Sequence, residues 1–379
     1  MLYRRMPRVK EELSVLGFGC MRLPVQDGRI DETKAQGMME TAVENGINYV
    51  DTAWPYHGGM SEPFVGRALK GLRDKVQLAT KLPSWLVTKR DDMDFHLNEQ
   101  LEKLNTDHID FYLLHALTTA RWENLQKLDV MNFMEKARAA GKIRYIGFSF
   151  HDGLDVFKKI VDAYKWDMCQ IQLNFLDDAF QAGLEGLSYA RGKDIGVVVM
   201  EPLKGGNLTI PMPKDLESAT KTAGYNKPTL ADIGLRWVWN QPEVGLLLSG
   251  MTEPEQMEQN IDSAAKGLPG NLTREELELV RAAKELFSSR MKVPCTGCAY
   301  CRPCPNDVDI PQCFNSFNNA AISGNWKTQK DSYYYLLMGE RPEKGAGACV
   351  ECGACEPKCP QNIPIPEKLK EVAAAFETK

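Results

Sequence analysis

A closed (β/α)8 barrel followed by a small, mainly helical domain is the fold this sequence predicts, and three observations predict it. Eight short apolar runs alternate with segments of helical periodicity from residue 13 to about 250. No G-x-G-x-x-G loop follows the first run, which argues against an open dinucleotide-binding sheet. From about Met291 onward, cysteine and proline become dense. The runs are LSVLGFG, INYVDTA, VQLAT, IDFYLLH, IRYIGFS, MCQIQLN, GVVVMEP and VGLLLSG. Each is β-branched or aromatic enough to be a parallel strand buried on both faces. Between them lie ETKAQGMMETAVEN, SEPFVGRALKGL, LNEQLEKLN, VMNFMEKARAAG and LADIGLRWVWNQ, whose apolar residues recur at three and four. The stretch MLYRRMPRVKEEL precedes the first strand and is expected to form a small hairpin over the barrel bottom. After the eighth run, EPEQMEQNIDSA and TREELELVRAAKELFSS read as two helices. The expected division is a barrel over residues 1–288 and a cysteine-rich domain over 289–379.

Eight of the 11 cysteines fall in two arrays: Cys295, Cys298, Cys301 and Cys304 before Pro305, and Cys349, Cys352, Cys355 and Cys359 before Pro360. A three-residue step turns three thiolates toward one face of a loop, a fourth arrives from elsewhere, and proline ends the loop; this is how a [4Fe-4S] cluster is ligated. CVECGACEPKCP fits the bacterial ferredoxin spacing throughout, whereas CTGCAYCRPCP has two residues between Cys301 and Cys304 where three are usual. In two-cluster ferredoxins the fourth cysteine of each array ligates the other cluster. Crossed ligation would pair Cys359 with Cys295, Cys298 and Cys301, and Cys304 with Cys349, Cys352 and Cys355; ligation within each array is the alternative. Zinc modules normally separate two cysteine pairs by a long spacer, so zinc fits less well. About 45 residues, including IPQCFNSFNNAAISGNWKTQKDSYYYLLMG, separate the arrays and read as helical with aromatic anchors, resembling the helical ferredoxins. Cys20, Cys169 and Cys313 read as small buried hydrophobes, with Cys313 alone positioned to substitute as a ligand.

The formal net charge is −5, with Lys and Arg interleaved among Asp and Glu, so nucleic acid is not an expected partner. No apolar run approaches membrane-spanning length. Tyr3, Arg4 and Arg5 are followed by charged residues where an export signal needs an apolar run, and eight free thiolates suit a reducing compartment. The expected location is the cytoplasm.

In a barrel of this kind the chemistry sits at the C-terminal ends of strands and in the loops after them. Asp51 ends the second strand, Tyr56 lies in the loop beyond it, Lys81 ends the third and His115 the fourth. A phenol has an ordinary pKa of about 10 and exchanges a proton near neutrality only if a cation stabilises its anion. Lys81 offers that cation, Asp51 the carboxylate a buried ammonium requires, and His115 a group to orient a carbonyl oxygen. Singly, each residue has a structural reading: an ion pair, a packing aromatic, a core histidine.

The stretch DTAWPYHGGMSEPFVGRALK, together with Lys81 and His115, resembles the signature and catalytic tetrad of the aldo/keto reductase superfamily, and the resemblance covers about the first 285 residues. It implies that Tyr56 is the general acid for carbonyl reduction, that Lys81 and Asp51 activate it, that His115 orients the substrate, and that a nicotinamide binds over the mouth. Ser149 and Gln172 stand where the family binds the carboxamide, with Phe150 in place of a usual Asn; Met200 replaces the aromatic that stacks on the nicotinamide. Around the eighth strand Gly250 and Asn260 are retained, while Glu253 and Gln256 occupy positions where basic residues often hold an adenosine 2′-phosphate. A carboxylate there opposes a phosphate, leaving NADH and NADPH both open. The whole chain, including CTGC and CPQNIPIP, resembles a group of oxidoreductases in which such a barrel precedes a ferredoxin-like tail.

The expected function is therefore reduction of a small carbonyl, or oxidation of an alcohol, with NAD(P)H, and two [4Fe-4S] clusters for electron transfer to a partner such as ferredoxin or flavodoxin. Coupling a two-electron hydride to one-electron clusters calls for a flavin, and no flavin motif is visible in the sequence. The alternative is an electron-transfer and docking module whose barrel has lost its nicotinamide chemistry.

Overall fold

Eight parallel strands close on themselves, each hydrogen-bonded to two neighbours, in a computed structural model that describes residues 1–209, 212, 213, 216, 220, 229–295, 301–338, 342–359 and 361–378. The strands are β1 (Leu16–Gly19), β2 (Tyr49–Asp51), β3 (Gln77–Leu82), β4 (Ile109–Leu117), β5 (Ile143–Phe150), β6 (Met168–Gln172), β7 (Gly196–Met200) and β8 (Val244–Ser249). Closure is made where Leu247 of β8 pairs with Leu16 of β1. Burial on both faces explains why the runs are continuously apolar: every position of β8 from Val244 to Ser249 is buried. One unit contains Met1–Leu203 with Ala231–Thr273; a second contains Lys204–Leu230 with Arg274–Lys379. The helix Arg274–Arg290 thus packs with the residues that carry the cysteine arrays.

The opening hairpin pairs Tyr3 with Ser14 and Arg5 with Glu12, and seals the N-terminal end of the barrel. Met6 from its turn enters the barrel interior with Leu13, Tyr49, Phe111, Met168 and Leu246. Gly245 makes room for it, since a Cβ there would stand 2.5 Å from the Met6 sulfur. The Arg4 guanidinium donates to the carbonyls of Trp239, Val244 and Gly267, each at 2.7 Å, tying the hairpin to the segments around β8.

The helices follow the strands. Those used below are α1 (Glu32–Glu44), α2 (Ser61–Ala68), α3 (Arg90–Lys103), α4 (Thr119–Lys127) and, after β8, the helix Pro254–Ala264. Trp237 and Trp239 are core, and the Trp239 indole N–H donates to the Val15 carbonyl at 2.8 Å.

The second unit is helical around the arrays. Ile310–Ser323 begins at Asp309, whose side chain accepts from the Gln312 N–H, and ends at Gly324 in the left-handed region (φ 70°). Trp326–Tyr333 and Ile365–Phe376 pack on it through Phe314, Phe317, Tyr333, Leu369 and Phe376. Of the three consecutive tyrosines only Tyr333 is buried; Tyr334 and Tyr335 are exposed. Asn318 accepts from the backbone N–H groups of Lys292 and Val293 and donates to the Val293 carbonyl, fixing the entry to the first array. Cys20, Cys169 and Cys313 are fully buried, as small apolar side chains are.

Candidate active site and cysteine arrays

Lys81 is the group around which the barrel mouth is organised. Its Nζ is inaccessible to solvent and donates to both carboxylate oxygens of Asp51 and to the Thr52 carbonyl, each at 2.8 Å. A buried ammonium needs this many acceptors to offset lost hydration. Burial alone pulls the Lys81 pKa down, but the Asp51 carboxylate and the Tyr56 phenol more than reverse it, so Lys81 is charged. Burial pushes the Asp51 carboxyl up, against the pull of Lys81.

Behind this pair lies a buried polar network. Glu62 accepts from the Thr80 hydroxyl and from the Gln100 amide, both at 2.6 Å; the same amide donates to the Lys81 carbonyl at 3.0 Å, and the Tyr112 hydroxyl donates to Gln100 at 2.8 Å. Ser61 is buried against Thr52, the two hydroxyls 2.9 Å apart. The Ser-Glu of the signature stretch therefore works within the barrel wall, where it fixes the strand that carries Lys81.

Tyr56 opens a tight turn after β2 whose next two residues, His57 and Gly58, are left-handed (φ 52° and 63°). The His57 ring anchors the turn, its Nε2 accepting from the Leu23 N–H at 3.2 Å. Tyr56 is thereby laid over Lys81, with Nζ 5.2 Å from the ring centre. Burial pushes its pKa up to about 12, and Lys81 restrains the rise.

His115 stands at a bulge. Pairing between β4 and β5 shifts register between Leu114 and Leu117, and Ala116 is left-handed (φ 52°). Bulges near sites re-aim a side chain. Here the imidazole turns toward the phenol, ring centres 6.3 Å apart at 81°. Burial, and then repulsion by Lys81, His151 and Arg121, hold its pKa well below the usual histidine range, so it is neutral. Its buried Nδ1 has no hydrogen-bond partner among the described residues. Asp51, Tyr56, Lys81 and His115 thus form one cluster.

The residues expected to hold a cofactor end the later strands, and most are already engaged. The Ser149 hydroxyl accepts from the Ala116 N–H at 2.7 Å, so it fixes the bulge that aims His115. Gln172 donates to Asp177 at 3.1 Å, and Gln170 donates to the Met200 sulfur at 3.4 Å. Asn260 donates to Ser249 at 3.0 Å. Gly250 lies so close to Arg22 that an added Cβ would be 2.9 Å from the Arg22 Cβ. Gln256 is the N3 residue of a capping box: its carboxamide oxygen accepts from the N–H groups of Thr252 and Glu253 at 2.9 and 3.3 Å. Glu253 is paired, its carboxylate accepting from Lys34 of α1 at 2.6 Å. Three residues at the mouth escaped the sequence reading: Trp85 after β3, Arg121 in α4 and His151 after β5. The available signal was only their place in loops or first turns at the C-terminal ends of strands.

A model of the aldo/keto reductase family matches residues 15–284, which is most of the chain. The chain belongs to the aldo/keto reductase family. Over 298 residues it is 26% identical to L-galactose dehydrogenase of Arabidopsis thaliana, covering 72% of this chain and 91% of that protein. It is 27% identical over 323 residues to NADH-specific methylglyoxal reductase of Escherichia coli K12, covering 72% and 95%. Among solved structures it resembles the holo form of aldo-keto reductase AKR11C1 from Bacillus halodurans, with TM-score 0.61 and 27% identity over 74% of this chain and 95% of that one. The tail of this aldo/keto reductase matches a second model, a 4Fe-4S dicluster domain, over residues 294–363.

Within that tail Cys301 and Cys355 are buried, Cys295, Cys304, Cys349 and Cys359 partly so, and Cys352 is exposed; Cys298 lies outside the described residues. Left-handed residues Glu351 (φ 56°) and Gly353 (φ 68°) wind the loop from Cys349 to Cys355. The Asn306 amide donates to the Ala348 carbonyl, and the Asp309 N–H to the Lys344 carbonyl at 3.0 Å, so the segment after the first array is bound to the segment before the second. Burial pushes the Cys355 thiol up, and Cys349, Glu356 and Cys304 add to the effect, which places a cysteine of the first array within electrostatic reach of the second. Among the described residues no three His, Cys, Asp or Glu side chains converge as a metal site.

Proposed function

We propose that the barrel reduces a small carbonyl compound, or oxidises the corresponding alcohol, with a nicotinamide cofactor, and that the tail binds two [4Fe-4S] clusters that exchange electrons with a carrier such as ferredoxin or flavodoxin. The observation that carries the barrel reading is a charged Lys81, held by Asp51, directly beneath the Tyr56 ring, with a neutral imidazole edge-on to that ring. A reduced nicotinamide, when bound, supplies hydride to the carbonyl carbon. The remaining steps belong to the protein. Tyr56 gives its hydroxyl proton to the carbonyl oxygen as charge builds there; Lys81 stabilises the phenolate left behind, and Asp51 keeps Lys81 charged. His115 fixes the carbonyl oxygen by a hydrogen bond. One hydride and one proton convert carbonyl to alcohol, and the reverse path oxidises it. The test is consumption of reduced nicotinamide by anaerobically purified protein with a panel of aldehydes.

NADH is the cofactor we assign. Gln256 carries no charge and Lys34 is neutralised by Glu253, so neither presents an uncompensated positive charge to a 2′-phosphate. The expected kcat/KM favours NADH over NADPH by about tenfold, equivalent to the loss of one charge-assisted hydrogen bond. Glu253→Gln, which frees Lys34, should narrow that ratio several-fold.

For the tail, thiolate donors in ferredoxin spacing suit iron–sulfur clusters, which serve as one-electron stores. In the crossed arrangement of two-cluster ferredoxins, Cys304 would complete the set of Cys349, Cys352 and Cys355, and Cys359 that of Cys295, Cys298 and Cys301. About eight irons per chain are expected under argon, falling to about four in the triple variant lacking the Cys349, Cys352 and Cys355 thiols. In Cys304→Ala the perturbed spectrum should be that of the cluster surviving Cys295→Ala. Perturbation instead of the cluster lost in Cys295→Ala would establish ligation within each array. Among the described residues no helix is long and apolar enough to cross a membrane; the cytoplasm, where thiolates stay reduced, is the location we assign.

A further inference from the structure

The rim of the mouth carries a cation that carbonyl reduction does not use. Arg121 lies in the first turn of α4, half-buried, its Nη1 donating to the carbonyl of Ala116, the residue after His115, at 2.7 Å. Its guanidinium carbon is 5.3 Å from the centre of the Trp85 ring, and that ring is 5.1 Å from the His115 ring. Guanidinium, indole, imidazole and phenol therefore form a continuous row from the rim to Tyr56. His151 flanks the row: both it and Arg121 act electrostatically on His115. Arg121 pairs with no carboxylate of the described residues. A partly desolvated guanidinium stacked on an aromatic face, with donors to spare, is suited to bidentate recognition of a planar anion.

The geometry points to Arg121, backed by Trp85 and flanked by His151, as the binding site for the carboxylate of a short carbonyl substrate, so that the enzyme acts on oxo acids. This rests on the carbonyl-reduction reading above. The local charge selects a carboxylate over a phosphate. Lys81 is neutralised by Asp51; burial lowers the His151 pKa, keeping that imidazole neutral; Glu201 also acts on His151, and its repulsion weighs more heavily on a dianion than on a monoanion. One uncompensated positive charge matches a monoanion.

The experiment compares 4-oxobutanoate with its methyl ester, which has the same carbonyl and no charge, using NADH and the full-length anaerobic protein. The expected kcat/KM is about ten- to hundredfold higher for the acid, as a charge-assisted hydrogen-bonded pair gives, carried mainly by KM. In Arg121→Gln the acid-to-ester ratio should fall to about one, and Arg121→Lys, which keeps charge but loses the planar fork, should restore part of it. Equal use of acid and ester by the unaltered protein, or an equal loss on both in Arg121→Gln, overturns the proposal while leaving carbonyl reduction intact. If neither compound is turned over, the aldehyde panel decides the reductase reading, and calorimetric titration with succinate decides the anion site separately. Succinate binding that weakens about tenfold or more in Arg121→Gln supports the site; no binding, or binding indifferent to the substitution, overturns it.

Discussion

Tyr56→Phe is expected to lower kcat for carbonyl reduction by about 10²- to 10⁴-fold, the range general acid catalysis contributes, with little effect on KM or thermal stability. The ring is retained, so its packing over Lys81 and against His115 persists; the hydroxyl, and with it the transferable proton, is lost. Steady-state kinetics and a melting curve on the same preparation separate the two effects. The pH profile gives a second check. With the phenol pushed up to about 12, Tyr56 holds its proton throughout the neutral and mildly alkaline range. Carbonyl reduction, which needs the protonated phenol, should lose nothing to Tyr56 titration as pH rises from about 6 to 10. Alcohol oxidation needs the phenolate and should accelerate over the same range. A reduction rate that falls with an apparent pKa near 7 to 8 would show another group to be the proton donor.

Lys81→Met is expected to be the most destabilising change at the mouth. It leaves the Asp51 carboxylate buried with its cation gone, a situation that costs about 3–5 kcal/mol. The double change Asp51→Asn with Lys81→Met removes both charges and should recover most of that stability, because an uncharged pair needs no counter-ion. Turnover should not recover, since nothing then stabilises the Tyr56 anion. Urea denaturation of the single and double variants, read against turnover, distinguishes this from a purely architectural ion pair, for which stability and activity would return together. A double variant as unstable as Lys81→Met alone would place the destabilisation elsewhere, in the Thr52 carbonyl that also accepts from Lys81.

The barrel was legible because a strand buried on both faces leaves an unbroken apolar run, and eight such runs leave little choice of architecture. Asp51, Lys81 and His115 were legible as polar residues interrupting those runs at their C-terminal ends. What the sequence could not show depends on contacts distant along the chain. The left-handed Ala116, and with it the aim of His115, is fixed by Ser149 of the next strand. Stacking of Arg121 on Trp85 joins the helix after β4 to the loop after β3. The Glu253 carboxylate reads as an obstacle to phosphate in one dimension, while in three it is already paired with Lys34. Gln256 is different: Glu-Pro-Glu-Gln before an apolar helical run has the spacing of a cap, and that local signal was available.

The Arg4 latch has a consequence for how the protein is made. Its three carbonyl partners at 2.7 Å lie 235 to 263 residues further along the chain. At roughly 5–20 residues per second, ribosomes need tens of seconds to deliver them. During that interval Arg4 lacks its three carbonyl acceptors and Met6 lacks Leu246, the cylinder cannot be sealed, and the nascent polypeptide presents unpaired strand edges. Chaperone dependence should accordingly peak late in translation, and release when the segment around Gly267 emerges.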